Sequence, residues 1–348
     1  MIYKFIPVFI LTALLFNSCT STLKTVYPTL NDNKYDSEFP YRSSSDELDR
    51  ISETIQRVNC TTFYKIYRFA VNDEITYNML NDDLIKKKAV SEEFGNNTLS
   101  GTAFTVSSEN GAIALVTCAH IVSFPDTMIS YRANPDGTTS PYIETISIKD
   151  RESIYIAGFP EGSEVELLAK DDVADIALLG RKYSAQTGFR IPVFPYPAGY
   201  AKELEWGTFV YLFGYPINYQ MVTKAIVSSP NRDSQGSFLV DAVVNPGFSG
   251  GLVLAIRDGV PHFELVGMVQ WVPEDEETFL APQKLSGGKT YNTLVPYTGE
   301  IYPKIHKNIK YGITKVIPVE AIKNFLEKNG DLLKTEGYEI TLKSRPKE

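Results

Sequence analysis

After Gly101 the chain is cut into short apolar runs, TAFTVS, AIALVTCAH, ADIALLG, TFVYLFG, SFLVDAVV, GLVLAI, FELVGMVQW and ITKVIPV, separated by Gly, Pro, Asn and Asp. Runs of this length suit strands, and the residues between them supply turns. Repeated many times, that rhythm builds sandwiches and barrels. The 21 Tyr, 19 Phe and 20 Pro among 348 residues point the same way, towards strands and turns over long helices. With 43% apolar and 22% charged residues the chain can bury a core and has no compositional case for wholesale disorder. Its length predicts two domains or one large unit.

The first stretch stands apart from this pattern. Lys4 is followed by an apolar run from Phe5 to Phe16, too short to span a bilayer comfortably, so residues 1–18 read as an export signal. Phe16-Asn17-Ser18-Cys19 resembles the lipobox of bacterial lipoproteins, which implies lipidation at Cys19 and attachment to a membrane surface without spanning it. Residues 19–43 carry Pro, Asn, Asp and Ser without an apolar period, as a tether does. The protein is therefore expected in the cell envelope, as an outer-membrane or periplasm-facing lipoprotein. A net charge of −8 opposes the basic footprint that nucleic acid requires. Cys60 and Cys118 are too few for a disulfide framework and have no zinc-site spacing, so two buried thiols are expected.

Ser44 and Glu47 have capping-box spacing, and Leu48, Ile51, Ile55 and Val58 recur at intervals of three and four, which predicts one amphipathic helix. A first strand is predicted from Thr61 to Val71. A polar insertion, 72–100, then carries Lys86, Lys87 and Lys88 on a solvated face. Val319 to Leu326 read as a closing helix, with a short polar tail from about Gly330.

Three segments carry chemistry together: Thr117-Cys118-Ala119-His120, Asp175-Ile176-Ala177-Leu178-Leu179 and Asn245-Pro246-Gly247-Phe248-Ser249-Gly250-Gly251. Each alone is weak, since a lone His is commonly structural, an Asp before apolar residues is commonly a turn residue, and a GxSGG string can be a plain loop. Their joint order is informative in a chain with three histidines. It resembles the trypsin-like serine endopeptidases, nearest to the bacterial HtrA (Deg) type. Gly101-Thr102-Ala103-Phe104 matches the strand before the histidine, Asp241 to Gly251 the nucleophile segment, and Gly312 to Pro318 the element before the closing helix.

This resemblance covers about residues 60–328. It implies an all-β fold of two antiparallel six-stranded barrels with the site between them, plus an N-terminal and a C-terminal helix. The protease domain would be 44–348, with barrel one about 60–185, barrel two about 190–318 and the closing helix about 319–328. Carried over residue by residue, it implies Ser249 as nucleophile, His120 as the base and Asp175 as the acid that orients it. The backbone N–H groups of Gly247 and Ser249 would form the oxyanion hole. A serine hydroxyl is a poor nucleophile at neutral pH and needs such a base within hydrogen-bond reach, while the developing oxyanion needs fixed donors. No metal and no organic cofactor is implied. Asp171 and Asp172 are neighbouring carboxylates, but only Asp175 directly precedes the Ile-Ala-Leu-Leu run; His262 and His306 read as surface residues.

The sequence departs from the digestive members at Phe248, where they place an Asp that pairs with a new N-terminus. Zymogen activation of that kind is therefore not expected. By resemblance Val243 lies at the base of the specificity pocket, and Gln270, Trp271 and Val272 form the strand against which a peptide pairs. Val243 brings no charge and Val272 narrows the pocket, which predicts cleavage after small aliphatic residues; the alternative is that both valines are strand core. The acidic run Glu274 to Glu277 reads as a solvated loop. HtrA members usually continue into a PDZ domain, and none is expected after the closing helix. The partners implied are protein or peptide substrates and a membrane surface through Cys19. A rival reading is a catalytically silent binding or scaffold lipoprotein with a collapsed oxyanion loop.

Overall fold

The computed structural model describes residues 30–159, 164–184, 190–271, 274–282, 290–340 and 342–345. The export signal, Cys19 and Val272 lie outside them. The first barrel is built from β1 (Ile55–Phe69), β2 (Ala89–Glu109), β3 (Ala112–Thr117), β5 (Thr139–Ile156), β6 (Glu164–Asp171) and β7 (Ile176–Lys182). They hydrogen-bond in the order β1-β2-β3-β7-β6-β5, and β1 pairs with β5 to close the ring, while β4 (Thr127–Ala133) lies on the outer edge of β5. Every residue of β3 is buried, which explains why AIALVT reads as a continuous apolar run without alternation. Antiparallel pairing throughout leaves this ring no free edge.

The second barrel closes through β8 (Phe209–Gly214), β9 (Met221–Ser229), β10 (Phe238–Val240), β15 (Thr314–Pro318), β12 (Phe263–Trp271) and β11 (Leu252–Ile256). The helix Val319–Lys328 buries Val319, Ile322, Phe325 and Leu326, at spacings of three and four, and packs against β12 and β15. One contiguous core runs through both barrels, from Ile55 and Leu115 to Leu254 and Ile322. The all-β, two-barrel expectation is met.

The long strands of barrel one extend past the ring and cover a separate cluster of Phe69, Ile75, Ile85, Ile143 and Ile146. The helix Asp82–Lys88 contributes Ile85 to it, capped by the Asn81 side chain accepting from Leu84 N–H at 2.9 Å. Lys86, Lys87 and Lys88 are exposed on its last turn, where cations complement the helix dipole. The 72–100 insertion is thus half helical cover and half the outer length of β2. Beyond β12, β13 (Glu274–Pro282) and β14 (Ile301–Ile309) pair as a separate antiparallel ribbon carrying exposed Phe279, Leu280 and Ile305. Among the described residues no helix is long and apolar enough to cross a membrane.

Three local expectations are corrected. The N-terminal helix spans only Ser45–Ser52, and Ile55 and Val58 belong to β1, where they are buried. The β-branched and aromatic run after Thr54 gains two strand partners, which outweighs its partial helical period. The Ser44 hydroxyl meets Tyr211 Oη at 3.4 Å and caps no helical N–H. Residues 30–43 are docked on barrel two. Tyr35 is buried and donates to Glu264 Oε2 at 2.7 Å, and Asp36 bonds Ile256 O and Phe209 N–H through its backbone. The tail is docked as well: Leu333 and Tyr338 are buried, and Arg345 reaches Glu264 Oε1 at 3.0 Å. Glu264 also receives Arg257 Nε at 3.1 Å, so both chain ends converge on one buried charge that needs several donors.

Candidate active site

His120 sits on a single 3₁₀ turn, Ala119–Val122, at the end of β3, with Ala119, Ile121 and Val122 buried around it. Asp175 lies on the turn between β6 and β7 with φ +58, a left-handed conformation that Asp tolerates better than most residues. The β3–β7 pairing, which runs from Ala112↔Lys182 to Thr117↔Ala177, carries the two residues to the same end of the sheet. His120 N–H donates to Asp175 Oδ1 at 2.9 Å, and His120 Nδ1 lies 3.0 Å from Oδ1 and 2.9 Å from Oδ2. The carboxylate thus holds both backbone and ring, which directs the ring's other nitrogen away from it. Asp175 is buried and His120 is exposed, so the carboxylate is shielded while the imidazole is open to solvent.

The neighbouring acids have other work. Asp171 Oδ1 accepts from Val173 and Ala174 N–H, both at 3.0 Å, and shapes the turn that delivers Asp175. Asp172 pairs with Lys170 at 3.1 Å and accepts from the Ser123 hydroxyl, an arrangement that lowers its pKa through those two hydrogen bonds. Neither bonds His120 among the described residues. His306 lies on β14, opposite Glu277.

Ser249 comes from barrel two, on the loop between β10 and β11. Asn245 to Phe248 form a turn closed by Phe248 N–H donating to Asn245 O at 3.2 Å, with Pro246 second and Gly247, at φ +105, third. That order and that φ give a type II turn, in which the middle peptide is flipped relative to type I. The loop's carbonyls are all tied. Pro246 O accepts from Ile217 N–H at 3.1 Å, Gly247 O from Thr102 Oγ1 at 2.7 Å, Phe248 O from Gly251 N–H at 2.8 Å and Ser249 O from Thr102 N–H at 2.8 Å. Ile217 adopts φ 49 and ψ 34, a costly conformation for a β-branched residue, while presenting that N–H. The Gly247 and Ser249 N–H groups donate to no described residue.

Phe248 is buried against Gly214, where an added Cβ would come within 2.5 Å of its ring. Apolar burial thus anchors the loop through Phe248. Among the described residues no hydrogen bond joins the Ser249 hydroxyl to the His120 ring; such contacts in unliganded sites commonly tighten when substrate is bound.

Val269 on β12 pairs with the Ser249 loop, accepting from Gly250 N–H at 2.9 Å and donating to Gly251 O at 2.8 Å. The register of β12 against β15 slips between Val269 and Trp271, so Gln270 lies in the irregularity. Gln270 lines a cleft of ≈ 260 Å³ with Val173, Ala174, Ser237 and Lys315, beside the Asp175 turn. Val243 is 63% exposed between buried Ala242 and Val244, so its side chain is not core. Cys60 and Cys118 are free and buried; burial pushes the Cys60 thiol up to about 12. Cys118, His120 and Asp175 have potential ligand atoms within 4.8 Å of one another. However, Cys118 Sγ contacts Val269 O at 3.3 Å, and burial raises its pKa well above the ordinary thiol range, which withholds the thiolate a metal would need.

Residues 101–268 match the family model described as "Trypsin-like peptidase domain". The matched stretch is just under half of the chain. The segment begins at the strand that holds Thr102 and runs past Ser249 into β12. No curated protein matches the chain. Among solved structures it is similar to an "HtrA-type protease AlgW with tripeptide", at 16% identity and TM-score 0.42, over 85% of this chain and 65% of that one. The motif reading did not assign roles to Tyr215 or Ile217, because their contribution is a backbone N–H. The Pro246-Gly247 pair was the available signal for the turn they serve.

Proposed function

We propose that the chain is an exported serine endopeptidase, of a type resembling HtrA, that cleaves peptide bonds through an acyl-enzyme. His120 takes the Ser249 proton as Oγ bonds the substrate carbonyl carbon, and the carbonyl π pair moves to oxygen, where the Gly247 and Ser249 N–H groups receive it. Collapse of this intermediate expels the amine, which leaves with the proton from His120; water then repeats the sequence and frees the acid. Asp175 fixes the tautomer that leaves the outer nitrogen able to accept, and it stabilises the imidazolium. The observation that carries this reading is the nucleophile loop itself: every carbonyl from Pro246 to Ser249 is tied elsewhere, while the two N–H groups donate to none of the described residues. That arrangement argues against the silent-scaffold reading, which needs a collapsed loop.

Substrate would pair as an added strand along β12 near Gln270 and Trp271. Exposed, uncharged Val243 supports cleavage after small aliphatic residues, with Val272 as the narrowing wall. Residues 1–18 would direct export, and acylation of Cys19 would hold the enzyme on a membrane of the cell envelope. A fluorophosphonate probe applied to the detergent-purified protein, with the labelled residue mapped by mass spectrometry, tests the site. Labelling at Ser249 that disappears in Ser249→Ala and His120→Ala is the expected result. A folded protein that takes no label refutes it.

A further inference from the structure

Thr102 belongs to barrel one, yet most of its polar capacity is spent on the nucleophile loop of barrel two. It is fully buried on β2. Its N–H donates to Ser249 O at 2.8 Å, its hydroxyl donates to Gly247 O at 2.7 Å, and the same hydroxyl accepts from Tyr215 N–H at 2.9 Å. Its carbonyl accepts from Thr117 Oγ1 at 2.6 Å, and Thr117 lies three positions before His120. One residue therefore ties the segment bearing the base to the segment bearing the nucleophile.

A backbone can supply the Ser249 contact from any residue type. The other two contacts need a hydroxyl, because only a hydroxyl donates to one group and accepts from another at the same atom. Gly247 O belongs to the Gly247–Phe248 peptide, and Ser249 O to the peptide leaving the nucleophile. The Gly247 N–H lies on the peptide before the first of these and the Ser249 N–H on the peptide between the two, so holding both restricts how the two donors can turn, beside the restraints of Ile217 on Pro246 O and Gly251 on Phe248 O. Tyr215 lies two residues before Ile217, and Ile217 N–H holds Pro246 O. Thr102 thus reaches three of the loop's four carbonyl restraints: Gly247 O through its hydroxyl, Ser249 O through its N–H, and Pro246 O through Tyr215.

We infer that Thr102 is a positioning residue: its side-chain hydroxyl sets the oxyanion-hole peptides across the barrel interface and couples them to the His120 segment through Thr117. This inference rests on the peptidase reading for its catalytic consequence, but not for its structural one. Without the hydroxyl, Gly247 O and Tyr215 N–H are left buried and unpaired, and the loop relieves this by rotating the Gly247 peptide. The two donors then miss the position where the oxyanion forms.

The test compares wild type with Thr102→Val, which keeps the shape and removes the hydroxyl, and with Thr102→Ser, which restores it. Two readouts are taken on the full chain: the fluorophosphonate labelling rate at Ser249, and the Gly247 and Ser249 amide resonances in ¹⁵N spectra. The outright loss of one oxyanion donor costs about 10²–10³ in rate; with both donors misaligned but present, labelling of Thr102→Val should fall about 10- to 100-fold. Peptide KM should stay within about twofold, and Thr102→Ser should recover most of the rate. The two amide resonances should shift in Thr102→Val and return in Thr102→Ser. A folded Thr102→Val that labels at the wild-type rate with unmoved resonances overturns the inference, as does a Thr102→Ser no better than Thr102→Val. If wild type takes no label, the peptidase reading falls, and the resonances alone decide: shifted, Thr102 still sets the loop; unshifted, both readings fall.

Discussion

Replacing Gly247 with alanine tests whether the turn geometry, and not merely the presence of Ser249, makes the site. At φ +105 an L-residue lies beyond even the left-handed helical region, at a cost of roughly 1–3 kcal/mol. The new Cβ would stand 2.4 Å from Tyr215 O, with Pro216 Cα at 3.3 Å, so the backbone has to move by more than half an ångström. The available relief is rotation to negative φ. That converts the turn towards type I, breaks the Ile217–Pro246 bond and swings the Gly247 N–H out of the hole. Loss of one such donor corresponds to about 10²–10³ in kcat, or ~2.7–4 kcal/mol of transition-state stabilisation. Gly137→Ala is the matched control: it sits at φ +84 with nothing within 4 Å, so it carries backbone strain without touching the site. Both variants should melt lower, by ~2–4 °C for each kcal/mol of strain, while only Gly247→Ala loses kcat with KM little changed. Peptide-cleavage kinetics alongside calorimetry provide the readout. A Gly247→Ala enzyme within threefold of wild-type kcat would refute the claim that this turn orients a working oxyanion hole.

Asp175→Asn should cut kcat by about 10⁴, because the amide cannot hold the same imidazole tautomer, whereas Asp171→Asn should change kcat by less than about tenfold; comparable losses in the two would mean that the acid has been misassigned. Phe248→Ala should cost ~3–5 kcal/mol through the void left against Gly214, read as a lowered melting temperature, and a loss under about 1 kcal/mol would remove Phe248 as the loop's anchor. Burial raises the Asp36 carboxyl from 3.8 to about 7, helped by nearby Glu38, Asp258 and Asp32 and opposed by the Gly259 N–H. Between those values the folded state holds a proton that the unfolded chain has released, so this contribution is present below about pH 4 and is lost as pH rises through 7. Asp36→Asn should therefore raise stability at pH 8 relative to wild type, by at most ~4 kcal/mol, with little gain near pH 4; parallel melting curves across that range would sink the assignment.

The barrels were legible because strand rhythm and turn residues are written along the chain, and His120, Asp175 and Ser249 could be proposed together because each stands in a short, recognisable context. Ile55 and Val58 misled because an interval of three or four also occurs in a strand with an irregular inside–outside pattern, and tertiary pairing with β2 and β5 decided the matter. The docking of Tyr35 and Arg345 was invisible for a different reason. Their partner Glu264 lies more than 80 positions from Arg345 and more than 220 from Tyr35, and a Pro-, Asn- and Ser-rich stretch offers no local period to reveal such a contact.

The active site divides along the same line. In the proposed mechanism Ser249 and His120 exchange the proton and Asp175 orients the imidazole, all through side chains, so their identities appear in the sequence. An oxyanion hole is made of N–H groups that every residue but proline owns, and what distinguishes it is which carbonyls have been turned away. Here that work falls to the N–H groups of Ile217, Gly251 and Thr102 and to one hydroxyl, Thr102 Oγ1. Only the last leaves a mark in the sequence, in the Gly101-Thr102-Ala103-Phe104 segment some 147 residues before Ser249. A substitution scan confined to polar residues near Ser249 in sequence would therefore miss it. The residue whose chemistry most constrains the Ser249 loop lies on the other barrel, on β2, which pairs with β3, the strand that leads to His120.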